Sequence, residues 1–348
     1  MGFRVACSVV VMSLALSAPA FAQSSPPLAT VEAMIPSSDP GVKLYVRNKH
    51  AKGMTSFSPD KTLLFIHGAT YPAETSFDLP IDGVSMMDLF AQNGFDVYLV
   101  DVRSYGRSTR PPEMDQPPEA NKPIATSEEA GADLGAAVDY ILALRGVPKL
   151  DLMGWSWGTS IAGAYAANHN DKINRLVLYA PAWIFQPPVA PPASVLPAYR
   201  VVAKDEAKAR WLKGVPEDKQ AALIPPGVFD QWWSATLDTD PAGSKMNPPK
   251  LRAGNGVRAE FANYWGAGKP FYDPGRITVP TLLIHAEWDA DLPTYMADAY
   301  FAKLTNAPYK RFVQLGEGTH TVMLEKNRMQ FFHEILGFLD ESGATALK

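Results

Sequence analysis

The chain has 348 residues and 47% of them are hydrophobic, so it can bury a large core as one α/β domain with an insertion or as two domains. Lys and Arg number 32 against 36 Asp and Glu, for a net charge of −4, and no basic stripe stands out. This balance argues against a nucleic-acid partner. The single cysteine, Cys7, lies in the first segment, so no disulfide or thiolate metal site is possible in the rest of the chain.

The first 22 residues have the pattern of a secretory signal peptide. Arg4 precedes an apolar run at 5–16 that is too short to span a bilayer well, and residues 20–22 form a small-x-small cleavage site. We expect cleavage before Gln23 and a secreted or periplasmic product, with an uncleaved anchor as the alternative. No stable membrane insertion is expected afterwards, because no other stretch approaches 18 consecutive apolar residues.

Strand and helix patterns alternate through the first half of the chain. Residues 23–40, rich in Ser, Pro and Ala, are expected to form an exposed leader, and the alternating residues 41–47 an edge strand. The continuous apolar run at 62–66 predicts a central parallel strand buried on both faces. Further buried strands are predicted at 95–101, 150–153 and 173–179. The predicted helices cover residues 82–93, 126–146 and 159–167.

Residues 183–270 break this pattern. They contain several tryptophans, many prolines and helical pieces without a matching strand, which indicates a cap inserted between two parts of one core, 23–182 and 271–348. The later elements are predicted at 279–285 (strand), 294–304 (helix), 311–315 (strand) and 321–339 (helix). The predicted fold class is therefore α/β, a mostly parallel central sheet with helices on both faces and an inserted helical cap.

The stretch 150–161 contains Gly-x-Ser-x-Gly between a predicted strand and a predicted helix. Gly154 and Gly158 lack Cβ atoms, so the strand and the helix can pass close together. The first amides of the helix point at Ser156 and favour negative charge there. Ser156 is therefore the candidate nucleophile, and the alternative is a turn that only packs a helix on a sheet.

A serine nucleophile needs a base and an acid that orients the base. Of the six histidines, His320 lies in a glycine-rich loop that leaves the last strand at the same edge of the sheet as Ser156. It is the predicted base. Asp289, which follows the strand at 279–285, is the predicted acid, with Asp291 as the alternative.

An acyl-transfer intermediate carries an oxyanion that needs two aimed amide donors. We predict the amides of Trp157, directly after the nucleophile, and of Ala69, after the His-Gly turn, with Thr70 as the alternative. No metal site is predicted, because side chains that alternate along a strand exit rarely converge on one ion. The possible ligands there are His285, Glu287, Asp289 and Asp291. No organic cofactor is required either.

These motifs occur in the order typical of one superfamily. They are the His-Gly turn at 67–68, a D-x-R-G-x-G-x-S loop at 101–108, the Ser156 elbow, the acid loop and the histidine loop. The sequence resembles the α/β-hydrolase superfamily over residues 41–182 and 271–340, although Ser104 stands where the loop motif usually has Gly. The elbow is similar to that of proline iminopeptidases, but the H-G-G-P-G run of those enzymes is absent. A serine nucleophile argues against epoxide hydrolases and haloalkane dehalogenases.

The resemblance implies a hydrolase that attacks a carbonyl carbon. The leading hypothesis is a carboxylic ester hydrolase, lactones included, acting on a small-molecule or polymer ester. An aminopeptidase or a C–C hydrolase of β-diketones is the second hypothesis, and a non-catalytic binding protein on a hydrolase scaffold is the third. A peptidase would need an acidic anchor for the substrate amine, for which the cap offers Glu206, Asp230 and Glu260.

Aromatic residues of the cap and of the elbow predict an apolar or aromatic acyl or leaving group. The candidate substrate-binding residues are Trp155, Tyr71 and Trp183. The alternative interpretation is that the aromatic residues form the cap's own core.

Overall fold

The structure is a computed structural model that describes residues 1–2, 26–192 and 194–341. The predicted signal peptide, 1–22, lies outside the described residues apart from Met1 and Gly2. The strands are β1 (Leu28–Pro36), β2 (Lys43–Ala51), β3 (Thr62–Ile66), β4 (Asp96–Val100), β5 (Leu150–Trp155), β6 (Ile173–Tyr179), β7 (Tyr199–Val202), β8 (Leu251–Gly254), β9 (Thr281–Ala286) and β10 (Lys310–Leu315).

Eight of these strands form one sheet in the order β1-β2-β4-β3-β5-β6-β9-β10. The six strands from β4 to β10 in this order are parallel to one another, while β2 pairs antiparallel with both β4 and β1. Every residue of β3, β4, β5 and β9 is buried. The predicted fold class, a mostly parallel sheet covered on both faces, is confirmed.

Two expectations for the amino-terminal part are wrong. Residues 23–40 do not form a leader throughout, because β1 pairs with β2 from Leu28 opposite Ala51 to Pro36 opposite Lys43. Consequently β2 is an interior strand and β1 is the edge. Only Ile35 of β1 is buried, so the sequence of this strand lacks the apolar alternation that identifies a half-buried strand.

The helices are α1 (Ala73–Phe77), α2 (Met86–Gln92), α3 (Ser127–Arg145), α4 (Trp157–Asn168), α5 (Lys204–Trp211), α6 (Glu217–Leu223), α7 (Val228–Asp238), α8 (Gly256–Asn263), α9 (Thr294–Lys303) and α10 (Arg328–Asp340). The capping box predicted for α3 is present, with the Thr126 side chain accepting from the Glu129 amide and the Glu129 side chain accepting from the Thr126 amide. Among the described residues, no helix combines the length and the apolar character needed to cross a bilayer.

Two predicted helices have different bounds in the structure. The helix expected at 82–93 begins only at Met86, because Ser85 caps it in a capping box with Asp88. The helix expected at 321–339 is divided into a 3₁₀ turn, Val322–Leu324, and α10, since Glu325 between them has an extended backbone.

The segment 183–270 contains α5 to α8 and, contrary to expectation, a small sheet in which β7 and β8 pair antiparallel. Each of these strands has only four residues, too few for a clear periodic pattern. The rings of Trp211 and Trp232 lie 5.0 Å apart at nearly right angles, with Phe229 against both. These aromatic residues therefore form a core of the cap itself, as the alternative interpretation expected.

Candidate active site

Ser156 lies in a strained turn between β5 and α4. Its backbone has φ 56° and ψ −123°, a conformation that non-glycine residues rarely adopt. The Ser156 amide donates to the Tyr179 carbonyl at 2.9 Å, and the Ser156 carbonyl accepts from the Thr159 amide at 2.8 Å and from Thr159 Oγ1 at 2.5 Å. These bonds hold the turn, so the serine side chain projects at the carboxyl end of β5.

Two glycines allow the close approach on which this turn depends. A Cβ atom on Gly154 would lie 2.3 Å from the Gly158 carbonyl oxygen, and one on Gly158 would lie 2.5 Å from the His67 carbonyl oxygen. Both obstacles are backbone atoms, which cannot move aside as a flexible side chain could. Any larger residue would therefore separate α4 from β5 or from the loop after β3.

The structure brings together Ser156, His320 and Asp289, which lie far apart in the sequence. His320 Nε2 is 2.7 Å from Ser156 Oγ, and His320 Nδ1 is 2.7 Å from Asp289 Oδ2. The other oxygen of Asp289 accepts from the amides of Asp291 and Leu292, each at 3.0 Å. The Asp291 carboxylate, the alternative acid, instead binds Arg210 Nε at 2.6 Å.

The surroundings of His320 favour its charged form. Burial lowers the pKa of the imidazole, but the charge and hydrogen bond of Asp289, with a further contribution from Asp291, more than offset this, so the pKa lies above its ordinary value. The His320 carbonyl accepts from Trp155 Nε1 at 2.8 Å, which fixes the loop that carries the ring. His320 can accept a proton from Ser156 and then be stabilised by Asp289.

The two predicted amide donors flank Ser156. Ala69 and Trp157 line the same cavity as Ser156, and neither amide donates to another residue in the described part of the chain. A Cβ atom on Gly68 would lie 2.9 Å from Ser156 Cβ, so the loop that carries Ala69 passes directly beside the serine. Both amides are therefore free to bind an oxyanion.

The side chain of His67 holds the loop that carries Ala69 through two hydrogen bonds. Its Nδ1 lies 2.7 Å from the Gly68 carbonyl and its Nε2 accepts from the Val102 amide at 3.2 Å. Burial lowers the pKa of His67 to about 4, so the ring is neutral at neutral pH. A neutral ring suits this pair of bonds, since one nitrogen donates and the other accepts.

The loop at 101–108 supports the first turn of α1. Asp101 is buried and accepts from the amides of Ala73, at 2.8 Å, and of Arg107, at 3.1 Å. Ser104 has φ 73°, a left-handed conformation that accounts for the glycine usual at this position of the motif. The departure from the motif is thus tolerated at the cost of local backbone strain.

A cavity of about 360 Å³ opens over Ser156 between the core and the cap. Its walls combine apolar side chains with charged groups. The apolar side chains are Phe185, Val257, Phe261, Trp265 and Leu292. The charged groups are Arg200, Arg210, Arg258 and Asp291, beside His320. A larger surface groove of about 720 Å³ lies against α3 and α4 and contains none of the three residues Ser156, His320 and Asp289.

Two of the three predicted substrate-binding residues lie beside His320 and the third does not. Trp155 and Tyr71 line a small internal space of about 20 Å³ beside His320, together with Trp211 and Trp232 of the cap. Trp183 does not line either space. Its ring packs on Tyr300 at 5.3 Å and on Tyr272 at 6.3 Å, and its contact with substrate stays a prediction.

The three arginines of the cavity wall are functional candidates that no sequence signal identifies. Arg200 lies on β7, Arg210 in α5 and Arg258 in α8, and no motif or periodicity links them. Their meeting depends on how the cap folds over the sheet. A local pattern could not have identified them.

The possible metal ligands after β9 have other partners. His285 Nε2 lies 2.7 Å from the Leu292 carbonyl, and Glu287 accepts from the Glu317 amide at 2.8 Å. Asp289 and Asp291 bind His320 and Arg210 as described above. Within 1–2, 26–192 and 194–341, no three His, Cys, Asp or Glu side chains are arranged to hold an ion.

The chain belongs to the α/β-hydrolase fold family, whose sequence model matches residues 61–327. A proline iminopeptidase from Xylella fastidiosa is 25% identical over 228 residues, which cover 57% of this chain and 67% of that protein. A probable lipase from Schizosaccharomyces pombe is 35% identical over 92 residues, 26% of this chain and only 20% of the lipase.

Solved structures with the same fold include several hydrolases. An esterase from Thermogutta terrifontis has a TM-score of 0.55 at 18% identity, covering 89% of this chain and 98% of that one. An esterase from Exiguobacterium antarcticum has a TM-score of 0.58 at 18% identity, covering 89% and 100%. A meta-cleavage product hydrolase from Pseudomonas fluorescens has a TM-score of 0.59 at 14% identity, covering 89% and 98%. At such identities these similarities establish the fold and no particular substrate.

Proposed function

We propose that this protein is a serine hydrolase that cleaves carboxylic esters, lactones included, through an acyl-enzyme on Ser156. The observation that carries the proposal is the continuous hydrogen-bonded chain from Asp289 through His320 to Ser156 Oγ, with both distances 2.7 Å. A hydroxyl, an imidazole and a carboxylate in this order form the arrangement that activates a serine.

The reaction follows from this geometry. Ser156 Oγ forms a bond to the carbonyl carbon of the substrate while its proton moves to His320 Nε2. The amides of Trp157 and Ala69 stabilise the oxyanion. The carbon–oxygen bond to the alcohol then breaks, and the alcohol leaves with the proton from His320. A water molecule, deprotonated by His320, releases the acid by the same steps and restores Ser156.

The charges of the cavity favour an ester hydrolase over an aminopeptidase. The three acidic residues of the cap considered as amine anchors do not line the cavity. Glu206 caps α5, Asp230 pairs with Lys204 at 2.7 Å, and Glu260 is bonded to Ser127 and Trp157. The cavity carries arginines instead, and these would repel a protonated amine.

The test is the activity of Ser156→Ala on activated short-chain esters. We expect kcat/KM to fall by about 10³- to 10⁶-fold, the scale seen when a catalytic triad loses its nucleophile. Ser160→Ala, one turn further along α4, removes a buried hydroxyl without touching the proposed nucleophile and serves as the matched control. Activity near wild type in Ser156→Ala would refute the proposal.

Two further measurements separate the alternatives. Labelling with a fluorophosphonate should modify Ser156, whereas a non-catalytic scaffold would take no label there. Comparing esters with aminoacyl anilides and β-diketones should give turnover of the esters, and preferential turnover of the anilides or diketones would favour the peptidase or the C–C hydrolase.

We also infer from residues 1–22 that the enzyme acts outside the cytoplasm. The mass of the exported protein, measured after expression of the full chain, should correspond to an amino terminus at Gln23. A full-length protein retained in the cell would contradict this inference.

A further inference from the structure

The cavity over Ser156 contains a guanidinium group that the protein does not neutralise. Arg200 projects from β7, where its Nη1 donates to the Gly254 carbonyl at 2.6 Å and to Asn255 Oδ1 at 3.3 Å. Its Nη2 donates to Thr70 Oγ1 at 2.5 Å. All three acceptors are uncharged. The Tyr105 hydroxyl also lies against this guanidinium, and among the described residues the Nε–H group of Arg200 donates no hydrogen bond.

The rest of the cavity wall adds positive charge. Arg258, exposed on α8, lines the same cavity, and no carboxylate in the described part of the chain lies within 4.0 Å of either Arg200 or Arg258. Every Asp and Glu of the sequence falls in that described part, so none is left to pair with them. Arg210 alone is matched, by Asp291 at 2.6 Å. Three guanidinium groups thus face one carboxylate.

A guanidinium under a cap, beside apolar walls, is unfavourable without an anion. Burial lowers the pKa of Arg200, and the nearby positive charges of Arg258 and Arg210 lower it further. Arginine also has a fixed planar fork of donors that matches the two oxygens of a carboxylate. An anionic ligand would neutralise the excess positive charge and could accept a hydrogen bond from the free Nε–H group.

We infer that the natural substrate is an ester or lactone that carries a carboxylate, and that Arg200, assisted by Arg258, binds this carboxylate. The inference rests on the proposed function of Ser156 and adds the class of substrate. The cavity of about 360 Å³ is at the small end of the range for ligand sites, about 300–1,000 Å³. Since Ser156, Ala69 and Trp157 line the same cavity as Arg200, the carboxylate and the scissile carbonyl would lie in one space.

The anchoring of Arg200 connects the two ends of such a substrate. Thr70, which accepts from Arg200, directly follows Ala69, whose amide is a proposed oxyanion donor. Arg200, which would hold the carboxylate, is therefore hydrogen-bonded to the same short loop that carries the proposed oxyanion donor. Arg200 is a specificity-determining residue in this scheme and takes no part in bond breaking.

The test uses two pairs of esters that differ in one charge. In the first pair the carboxylate is on the acyl side: 4-nitrophenyl hydrogen glutarate and its methyl ester. In the second pair the carboxylate is on the alcohol side: 4-acetoxybenzoate and its methyl ester. The readout is the ratio of kcat/KM between the charged and the neutral member of each pair, because a general loss of active protein lowers both members equally.

We expect wild type to prefer the charged member of at least one pair by 10-fold or more, on the order of one charge-assisted hydrogen bond. Arg200→Gln should reduce that ratio by about 10- to 100-fold, and Arg200→Lys should reduce it less, because the charge remains but the planar fork is lost. Arg258→Gln, at an exposed position, should reduce the ratio without endangering the fold. Arg276→Gln, an exposed arginine before β9 outside the cavity, is the matched control and should retain the wild-type ratio.

A wild-type ratio near or below one in both pairs would overturn the inference and leave the ester hydrolase proposal intact. A preference that persists in Arg200→Gln would overturn the assignment of Arg200. If wild type cleaves none of the four esters, the proposed function itself fails, and this inference fails with it.

Discussion

The charge on a single ring, the imidazole of His320, decides whether the proposed base can act. Asp289 and Asp291 stabilise the protonated form, whereas Arg210 opposes it. Because kcat/KM requires a neutral base, the raised pKa of His320 places the rise in activity above the ordinary imidazole range. Asp291 and Arg210 form an ion pair in the resting structure, and the effect of Arg210 on the ring offsets only part of the effect of Asp291.

Substitution of Asp291 and substitution of Arg210 should shift the pH profile of kcat/KM in opposite directions. Asp291→Asn removes a negative charge that raises the pKa of His320, so the acid limb of kcat/KM should shift to lower pH. Arg210→Gln removes a positive charge that lowers this pKa, so the limb should shift to higher pH. The measurement is kcat/KM for a neutral ester from pH 4 to pH 9, each variant acting as the other's control. Shifts of the same sign would contradict this electrostatic account.

At the scale of elements, the sequence predicts well wherever burial imposes a pattern. Strands β3, β4, β5 and β6 are mostly apolar because helices cover both faces of the sheet. The turn at Ser156 is also readable, since a close strand–helix passage requires glycine at fixed positions. Edge strand β1 has no such constraint, because most of its side chains face water, and its sequence therefore resembles a loop.

The charged residues of the cavity follow neither the apolar pattern of the buried strands nor the glycine spacing of the turn. Arg200, Arg210 and Arg258 come from three cap elements, and only the folding of the cap over the sheet brings them to Ser156. The sequence also does not distinguish Asp289 from Asp291 as the acid. Two carboxylates two residues apart look alike in sequence, while the backbone turn directs one to His320 and the other to Arg210.

The close packing at the Ser156 turn makes a sharp prediction for α4. In Gly158→Ala the new Cβ would lie 2.5 Å and 2.7 Å from the carbonyl oxygens of His67 and Ile66. We expect a loss of at least about 2 kcal/mol in the free energy of unfolding, and lower ester kcat/KM because the Ala69 loop is displaced. Gly131→Ala in α3 is the control, since nothing lies within 4 Å of its Cβ position. It should stabilise the protein by about 0.5–1 kcal/mol in urea unfolding, and equal stability of the two variants would contradict the packing argument.

At the scale of the whole molecule, one buried carboxyl group joins the cap to the loop that carries the base. Glu325 accepts from Trp211 Nε1 of the cap at 2.8 Å and from the Thr319 amide at 2.9 Å, and Thr319 immediately precedes His320. Burial raises the pKa of Glu325 to about 7, although its hydrogen bonds oppose the shift. The position of the cap and the position of the base are thus coupled through a group that titrates near neutral pH.

This coupling predicts how stability depends on pH. The carboxyl titrates at about 4.5 when exposed and at about 7 when folded, so between these values the folded state holds the extra proton. The free energy of unfolding should therefore fall as pH rises through this window, by up to about 3 kcal/mol from this group. The Glu325→Gln side chain cannot titrate, so this contribution to the pH dependence should be absent in the variant. At pH 4.5 the variant should be less stable than wild type, because its side-chain NH2 group would face the Thr319 N–H and cannot accept a hydrogen bond from it.

The measurement is urea unfolding of wild type and Glu325→Gln at intervals from pH 4.5 to pH 8, with their difference plotted against pH. The stability advantage of wild type should shrink as pH rises. Glu317→Gln is the control, because the hydrogen bond and charge of Lys326 lower the pKa of the exposed Glu317 carboxyl. The advantage of wild type over that variant should not shrink as pH rises, since a lowered pKa gives stability that is lost only as pH falls below the ordinary range. Parallel curves for wild type and Glu325→Gln would mean that Glu325 is charged in the folded protein throughout, and that the cap is held by the ion itself.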